Sequence, residues 1–213
     1  MLIGLSPSLL VLLSLSGIAL DWVLGEARYW HPLVGFGNLA RFIEHRLNGG
    51  GLRRAKGLLA WALAVMPPVL LAHWLIAQAA RADVLLAATL HVLLLYFCLG
   101  LRSLHDHVLP IGQALAKNDL PLARQLTSRI VSRDTGRANA SDLAKAAVES
   151  TLENGNDAVV GTLFWFLVAG GPGVLLFRLA NTLDAMWGYR SERFLAFGWF
   201  AARTDDGLNW IPA

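Results

Sequence analysis

The chain has 213 residues, of which 55% are hydrophobic and only 15% are charged, with a formal net charge of +3. Soluble domains carry about 25% charged residues on average, and the apolar residues here form long blocks, which argues against an ordinary soluble domain. Basic residues are not interleaved with aromatic ones in any run, which argues against nucleic acid as a partner, and the single cysteine excludes an internal disulfide framework.

Four apolar segments predict membrane helices, at about 1–24, 57–80, 84–101 and 158–180. About 20 apolar residues are enough to cross the hydrocarbon core. No basic region precedes the first segment, which favours a retained anchor over a cleaved signal peptide. The second contains Pro67-Pro68, which should kink it. Only Arg81-Ala82-Asp83 separates the second from the third, so these two should form an antiparallel hairpin.

The fourth segment is interrupted by Gly170-Gly171-Pro172-Gly173. This sequence should break a helix, and the halves of roughly 12 and 7 residues are each too short to span. A re-entrant or surface-lying hairpin is therefore favoured over a crossing. The prediction is an all-α polytopic membrane bundle, a single domain over 1–213, with three spanning helices plus a broken or re-entrant fourth apolar segment.

The polar loops 25–56 and 102–157 carry six and seven basic residues, whereas the Arg81 turn carries one. The positive-inside rule then places both loops in the cytoplasm and the turn outside. The second loop should contain amphipathic helices, one capped by Asp119 and a later one capped by Ser141 and ending before Gly155. The polar tail, 181–213, stays with these loops if the fourth segment is re-entrant.

Four polar constellations stand out, although each also fits a helix end, a capped loop or a solvated helix face. The first joins Asp21 and Glu26 to His31-Pro32, and the second is Arg133-Asp134, which could hold a phosphate and magnesium. In the third, Glu149 and Glu153 share a helix face and need a positive neighbour, plausibly a metal ion or Lys145. The fourth contains these tail residues: Arg178, Asn181, Asp184, Tyr189, Arg190, Arg203, Asp205, Asp206 and Asn209.

At these segments the sequence resembles the CobD/CbiB family of cobalamin biosynthesis, the adenosylcobinamide-phosphate synthases. The matching strings run in order along nearly the whole chain. They are Asp21…Leu24-Gly25-Glu26…His31-Pro32-Leu33-Val34…Gly37, Val131-Ser132-Arg133-Asp134-Thr135, Ala146-Ala147-Val148-Glu149-Ser150…Glu153-Asn154, Asp157, Gly170-Gly171-Pro172-Gly173, Arg178…Asn181-Thr182-Leu183-Asp184…Met186…Gly188-Tyr189-Arg190, and Phe197-Gly198-Trp199…Ala202-Arg203…Asp205-Asp206…Asn209-Trp210-Ile211-Pro212-Ala213.

The resemblance implies a ligase of the cell inner membrane with a cytoplasmic active face. It would join adenosylcobyric acid, a corrinoid, to an amino-alcohol phosphate such as 1-amino-2-propanol O-phosphate, with ATP and magnesium. The implied catalytic residues are Asp134, Glu149, Glu153, Asp184, Asp205 and Asp206, of which Asp134, Glu149 and Glu153 are the suggested magnesium ligands. The implied substrate-binding and phosphate-binding residues are His31, Arg133, Arg178, Asn181, Arg190, Arg203 and Asn209.

Two other functions stay open on the sequence alone. One is a non-enzymatic membrane regulator of the AmpE-like kind, and the other is a small membrane transporter, because broken helices are common in transporters. Members of the resembled family usually continue past Ala213 with a further apolar region, so a truncated chain is one expectation. The amino-alcohol preference and a homo-oligomeric state are not determined by the sequence.

Overall fold

The computed structural model describes residues 5–26 and 31–213, and all of its regular structure there is helical. Four helical runs, beginning at Pro7, Arg53, Val84 and Ala140, are long and apolar enough to cross a membrane. The predicted all-α polytopic membrane architecture is therefore confirmed. The helices are α1 (Pro7–Leu24), α2 (Pro32–Leu47), α3 (Arg53–Ala82), α4 (Val84–Cys98), α5 (Leu101–Ala116), α6 (Leu120–Thr127), α7 (Ala140–Gly155), α8 (Gly161–Trp187) and α9 (Trp199–Asn209).

Helices α1 and α4 run parallel, and α3 runs antiparallel to both. Gly17 lets α1 approach α4 closely, since a Cβ atom there would lie 2.5 Å from Leu95 Cδ2. The Tyr96 hydroxyl donates to the Gly25 carbonyl at 3.0 Å, so both helices finish at the same end of the bundle. Between α3 and α4 only Asp83 intervenes, and its carboxylate caps α4 by accepting from the Leu85 N–H at 2.7 Å. The predicted short hairpin is confirmed.

Helix α3 continues through Pro67 and Pro68 from its first to its last residue. It packs against α2, α4, α8 and α9. Membrane helices accommodate proline in this way when neighbouring elements surround the freed carbonyl groups.

Helix α8 is folded back on itself at Gly170, whose φ of 63° and ψ of −151° interrupt the helix. Three pairs of residues contact each other across this break, and each pair has one member before Gly170 and one after it. Asn181 bonds to Asp157 at 2.9 Å, the Phe177 ring fills the space beside Gly161, and a Cβ atom at Gly173 would lie 2.6 Å from the Trp165 carbonyl oxygen. The fourth apolar segment is thus a helical hairpin rather than a straight crossing, which confirms the predicted break.

The apex of this hairpin is held inside the bundle by His91, which is buried in the middle of α4. The Gly171 N–H donates to His91 Nδ1 at 2.8 Å. A Cβ atom at Gly171 would come within 2.8 Å of Leu94 Cδ1. The first N–H groups of a helix need partners when water is excluded, and here the imidazole supplies one.

The polar segments gather at one end of the bundle. Helices α5, α6 and α7 pack around Ala114, Ala123 and Leu143. Asp119 caps α6 as predicted, with its carboxylate accepting from the Leu122 N–H at 3.1 Å. The predicted Ser141 cap is wrong, because Asn139 forms a reciprocal capping box that starts α7 one residue before the serine.

The predicted end of this helix before Gly155 is also wrong, because α7 includes Gly155. A π-helical turn, Asn156–Val160, carries the chain directly into α8. Such turns widen a helix locally and are frequent at functional sites. This turn places Asp157 opposite the second half of the α8 hairpin.

The tail folds back onto the bundle. Gly57 of α3 lies directly against the Phe197 carbonyl, and Phe197 stacks edge-on with Trp187 at 5.1 Å between ring centroids. Arg193 donates to the buried carboxylate of Glu44 at 2.6 Å and fixes the tail to α2. These contacts set α9 beside the two ends of the α8 hairpin.

Candidate functional site

Two adjoining cavities lie at the polar end, between the end of α1, the start of α2 and helix α5. We name the smaller the narrow chamber, with a volume of about 500 Å³, and the larger the wide chamber, with a volume of about 930 Å³. The narrow chamber alone also reaches α7, α8 and the end of α6. Both share six lining residues, which are Gly25, Glu26, His31, Val34, Ser103 and His107. The chambers therefore form one continuous groove.

Arg178 extends from the second half of α8 into the narrow chamber. Its Nε atom is buried and has no hydrogen-bond partner in the described part of the chain. Arg129, two residues after the end of α6, lines the same chamber. A guanidinium N–H that is buried without a partner is costly, and phosphate is the ligand that the planar donor geometry of arginine matches well. The narrow chamber can therefore bind a phosphate group.

His31 stands where the two chambers meet. Its Nδ1 accepts from the Leu33 N–H at 3.2 Å and caps α2. Burial lowers the pKa of His31. The negative charge of Glu26 acts in the opposite direction, and the positive charge of Arg178 lowers the pKa further, so the net shift is downward. The imidazole is therefore neutral at pH 7, and because Nδ1 is the acceptor, Nε2 carries the proton. His31 can donate one hydrogen bond to a ligand in the groove.

A cluster of carboxylates and amides lies beside the narrow chamber, between the π-turn, α8 and α9. Asn181 Nδ2 donates to Asp157 Oδ2 at 2.9 Å and lies 3.4 Å from Asp205 Oδ1. Asn209 Nδ2 donates to Asp205 Oδ2 at 3.1 Å. The cluster is completed by Asn156, which donates to Asn209 Oδ1 at 2.9 Å. We refer to these residues as the carboxylate cluster.

Asp205 is the carboxyl group most perturbed by this environment. Burial raises its pKa to about 6, and the neighbouring carboxylates of Asp184 and Asp157 add to the increase against the hydrogen bonds from Asn181 and Asn209. A carboxyl group that titrates this close to neutrality can accept and release a proton under working conditions.

The pKa of Asp205 predicts a specific pH dependence of stability. The unfolded value is about 3.9, so the folded state binds the proton more tightly, and this contribution is lost as the pH rises through about 6. Asp205→Asn should raise the unfolding temperature at pH 8 by about 2–5 °C, with a smaller gain at pH 5. Thermal unfolding at both pH values tests this.

The exposed neighbour Asp206 supplies the matched control for that measurement, as Asp206→Asn. An equal change for Asp205→Asn at pH 5 and pH 8 would contradict the assignment of the raised pKa to Asp205.

The second and third sequence constellations meet each other, away from the carboxylate cluster. Arg133 Nη2 donates to Glu149 Oε2 at 2.6 Å, so the positive neighbour expected for Glu149 is an arginine. Asp134 Oδ1 accepts from the Gly136 N–H within its own turn, and Glu153 is exposed on α7. Both side chains of the Arg133–Glu149 ion pair are exposed, and exposed ion pairs contribute little to stability.

No group of three or more His, Cys, Asp or Glu side chains is placed to hold a metal ion within residues 5–26 and 31–213. The structure does not bring Asp134, Glu149 and Glu153 together in this way, and their role as magnesium ligands stays a prediction. Magnesium that arrives with a nucleotide needs only one or two protein carboxylates, because phosphates and water fill the other positions. The carboxylates present fit that requirement.

The remaining predicted residues are dispersed. Arg190 is exposed beyond the end of α8. Arg203 and Asp206 lie on α9, with Arg203 Nη1 3.8 Å from Asp206 Oδ2, and both side chains are largely exposed. Asp184 lies one turn from Asn181 on α8, close enough to raise the pKa of Asp205. The structure therefore groups Asn181, Asp184, Asp205 and Asn209, and separately His31 with Arg178.

Sequence reasoning did not include Arg129 or Asp157 among the site residues. Asp157 is one of the residues that match the resembled family, and it lies four residues before α8 begins. The sequence therefore did contain an indication that Asp157 belongs to the site. Arg129 had no sequence signal, since only the packing of α6 brings it to the narrow chamber.

Comparison with known proteins gives one consistent result. The family model described as CobD/Cbib protein matches residues 14–213. The chain is 53% identical over 206 residues to the "Cobalamin biosynthesis protein CobD" of Stutzerimonas stutzeri (strain A1501), covering 95% of this chain and 66% of the relative. It is 47% identical over 203 residues to the protein of the same name from Chromobacterium violaceum, covering 92% and 64%.

A more distant match is the "Probable cobalamin biosynthesis protein CobD" of Pyrococcus abyssi, 42% identical over 205 residues, covering 94% of this chain and 68% of the relative. The chain thus spans about two thirds of the length of these relatives. No solved structure matches it.

Proposed function

Because the chain belongs to the CobD/Cbib protein family of cobalamin biosynthesis, we propose that it is an ATP-dependent amide ligase. It joins the free propionate of adenosylcobyric acid to the amine of an amino-alcohol phosphate, such as 1-amino-2-propanol O-phosphate. The active face lies on the cytoplasmic side of the inner membrane. The basic residues of both polar loops support that orientation.

One observation supports the proposal: the narrow chamber, which is lined by two arginines, and the carboxylate cluster adjoin each other on consecutive turns of α8. Arg178 lines the chamber and Asn181, three residues later, belongs to the cluster. Residues three apart share a helix face. An amino-alcohol phosphate carries a phosphate and an ammonium group separated by a few bonds. Arg178 with Arg129 matches the phosphate, and Asp157 with Asp205 matches the ammonium group.

The chemistry requires an activated carboxylate, because a free carboxylate does not react with amines at neutral pH. Transfer of the γ-phosphoryl group of ATP to the propionate gives an acyl phosphate and ADP. The amine attacks the acyl carbon, the C–O bond to phosphate breaks, and the amide and inorganic phosphate are released. Magnesium bound with ATP would be held by its phosphates and one or two cluster carboxylates, and would neutralise phosphate charge.

The residues of this chain have distinct parts in these steps. Arg178 and Arg129 bind and orient the phosphate of the amino-alcohol. Asp205 accepts the proton that the ammonium group must lose before the nitrogen can attack, since its pKa of about 6 lies close to the working pH. His31 donates from Nε2 to the oxygen of the corrinoid carboxyl group. Positioning of the two substrates supplies a large part of the rate.

The test is a mass-spectrometric assay of purified protein in lipid nanodiscs with adenosylcobyric acid, 1-amino-2-propanol O-phosphate, ATP and magnesium. We expect an ATP-dependent amide product that Asp205→Ala reduces by about 100-fold or more. The full-length Stutzerimonas stutzeri relative is assayed alongside, because the chain spans 66% of it. Absence of product from both proteins would overturn the ligase.

A further inference from the structure

We propose, resting on the ligase function above, that the wide chamber is the binding site of the corrinoid and that the narrow chamber holds only the phosphorylated co-substrate. The two chambers share six lining residues and open into each other, so the reacting groups of the two substrates meet at the junction. Nothing in the family relationship assigns the substrates to these cavities.

The charges of the two chambers differ. Among the described residues, the guanidinium that lines the wide chamber is that of Arg102, and both oxygens of Asp106 accept from its Nε at 2.9 and 3.0 Å. The same guanidinium also lies over the Trp22 ring, with its central carbon 5.4 Å from the ring centroid. It is thus neutralised and stacked before any ligand arrives. Arg178 in the narrow chamber has no such carboxylate partner in the part of the chain that the structure describes.

Of the two chambers, the wide one is better suited to a large amphipathic ring. Its volume of about 930 Å³ exceeds the roughly 500 Å³ of the narrow chamber. Val23 and Val34 give part of its wall an apolar surface. Adenosylcobyric acid has an apolar macrocycle edge and several neutral amide arms. Asn38, Ser103 and Asp106 offer those amides hydrogen-bond partners.

The junction of the chambers explains how one arm is selected. Glu26, His31 and His107 line both cavities, and Glu26 is held by the Ser103 hydroxyl at 2.9 Å. A ring seated in the wide chamber can extend one side arm past these residues. A carboxylate arm can accept from the Nε2–H of His31 and is attracted by the charge of Arg178, and these two interactions oppose its repulsion by Glu26. The amide arms gain less from the same groups.

Gly35 provides a direct test, because it lines the wide chamber from α2 and a Cβ atom there meets no other atom within 4 Å. Gly35→Phe should fill the chamber without disturbing the fold. Gly112 of α5 has equally open surroundings and lines neither chamber, so Gly112→Phe is the matched control. Corrinoid binding is measured by equilibrium dialysis of the protein in nanodiscs, with the visible absorbance of adenosylcobyric acid as the readout.

We expect the dissociation constant for adenosylcobyric acid to rise about tenfold or more in Gly35→Phe. It should stay within about twofold of wild type in Gly112→Phe. Unchanged binding in Gly35→Phe would place the corrinoid outside the wide chamber and overturn the assignment. A wild-type chain that binds no corrinoid overturns the assignment too.

The outcome is separable from that of the ligase assay. Corrinoid binding that Gly35→Phe abolishes, without any amide product from either protein, would leave the chamber assignment standing and reject the ligase. Amide formation that continues at the wild-type rate and affinity in Gly35→Phe would reject only the chamber assignment.

Discussion

Replacing Arg178 with alanine is expected to lower the rate of amide formation by about 100-fold or more, because it removes the guanidinium that binds the substrate phosphate. The side chain lines the narrow chamber and is only partly buried, so the guanidinium is accessible to a ligand there. Arg178→Lys should recover only part of the activity, since an ammonium group keeps the charge but not the planar pair of donors. The rate is measured against the concentration of amino-alcohol phosphate.

Stability measurements distinguish a ligand-binding role from a structural one. The Nε–H of Arg178 is buried without a hydrogen-bond partner in the described residues, which costs free energy, so Arg178→Ala should leave the unfolding temperature unchanged or raise it. Arg46→Ala is the control, because this exposed arginine stacks on Phe42 and lines neither chamber. Full activity in Arg178→Ala, or a loss of activity that accompanies a lower unfolding temperature, would contradict a ligand-binding role for the guanidinium.

The second large effect is expected at the hairpin of α8. A Cβ atom at Gly173 would lie 2.6 Å from both the Trp165 carbonyl oxygen and Ala169 Cβ, where backbone cannot move aside. Gly173→Ala should therefore destabilise the protein by about 1–3 kcal/mol through overpacking. Chemical unfolding in detergent measures the change. The two half-helices would separate, and Asp157 and Asn181 at their open ends would lose their hydrogen bond.

The matched control for Gly173 is Gly112→Ala, within helix α5, where nothing lies within 4 Å of the added methyl group. Alanine is favoured over glycine in an open helical position by about 0.5–1 kcal/mol, so this variant should be slightly more stable than wild type. If both variants behaved alike, the close antiparallel packing inside α8 would be wrong.

Much of the fold follows from local properties of the sequence. The long apolar segments required membrane helices, since the backbone cannot leave its polar groups unpaired in hydrocarbon. A connection of three residues after Ala80 required α3 and α4 to be neighbours. The Gly170-Gly171-Pro172-Gly173 break indicated the hairpin, because glycine and proline interrupt helices through their own backbone restrictions. The Ser141 cap failed because Ser, Asn and Asp all cap helices, and neighbouring candidates compete locally.

The sequence predicted which residues carry binding chemistry, but it did not predict how they are arranged in the site. The sequence indicated Arg178, Asn181, Asp205 and Asn209 as residues with binding chemistry, and the structure groups three of them in the carboxylate cluster. It could not indicate that Glu149 pairs with Arg133 or that Arg129 lines the narrow chamber. These relations depend on how α6, α7 and α9 pack, which no short sequence pattern encodes.

The sequence by itself therefore determined the membrane character of the chain, its polar segments and the break in its fourth apolar segment, because each depends on composition and backbone preference over a few neighbouring residues. Only the tertiary structure decided which polar groups are partnered and which remain free. Asp157 meets Asn181 because the hairpin closes, and Arg178 is left without a partner because the surrounding helices present it no carboxylate among the residues described. Burial and pairing are properties of the whole packed chain, and they determine where a ligand can bind.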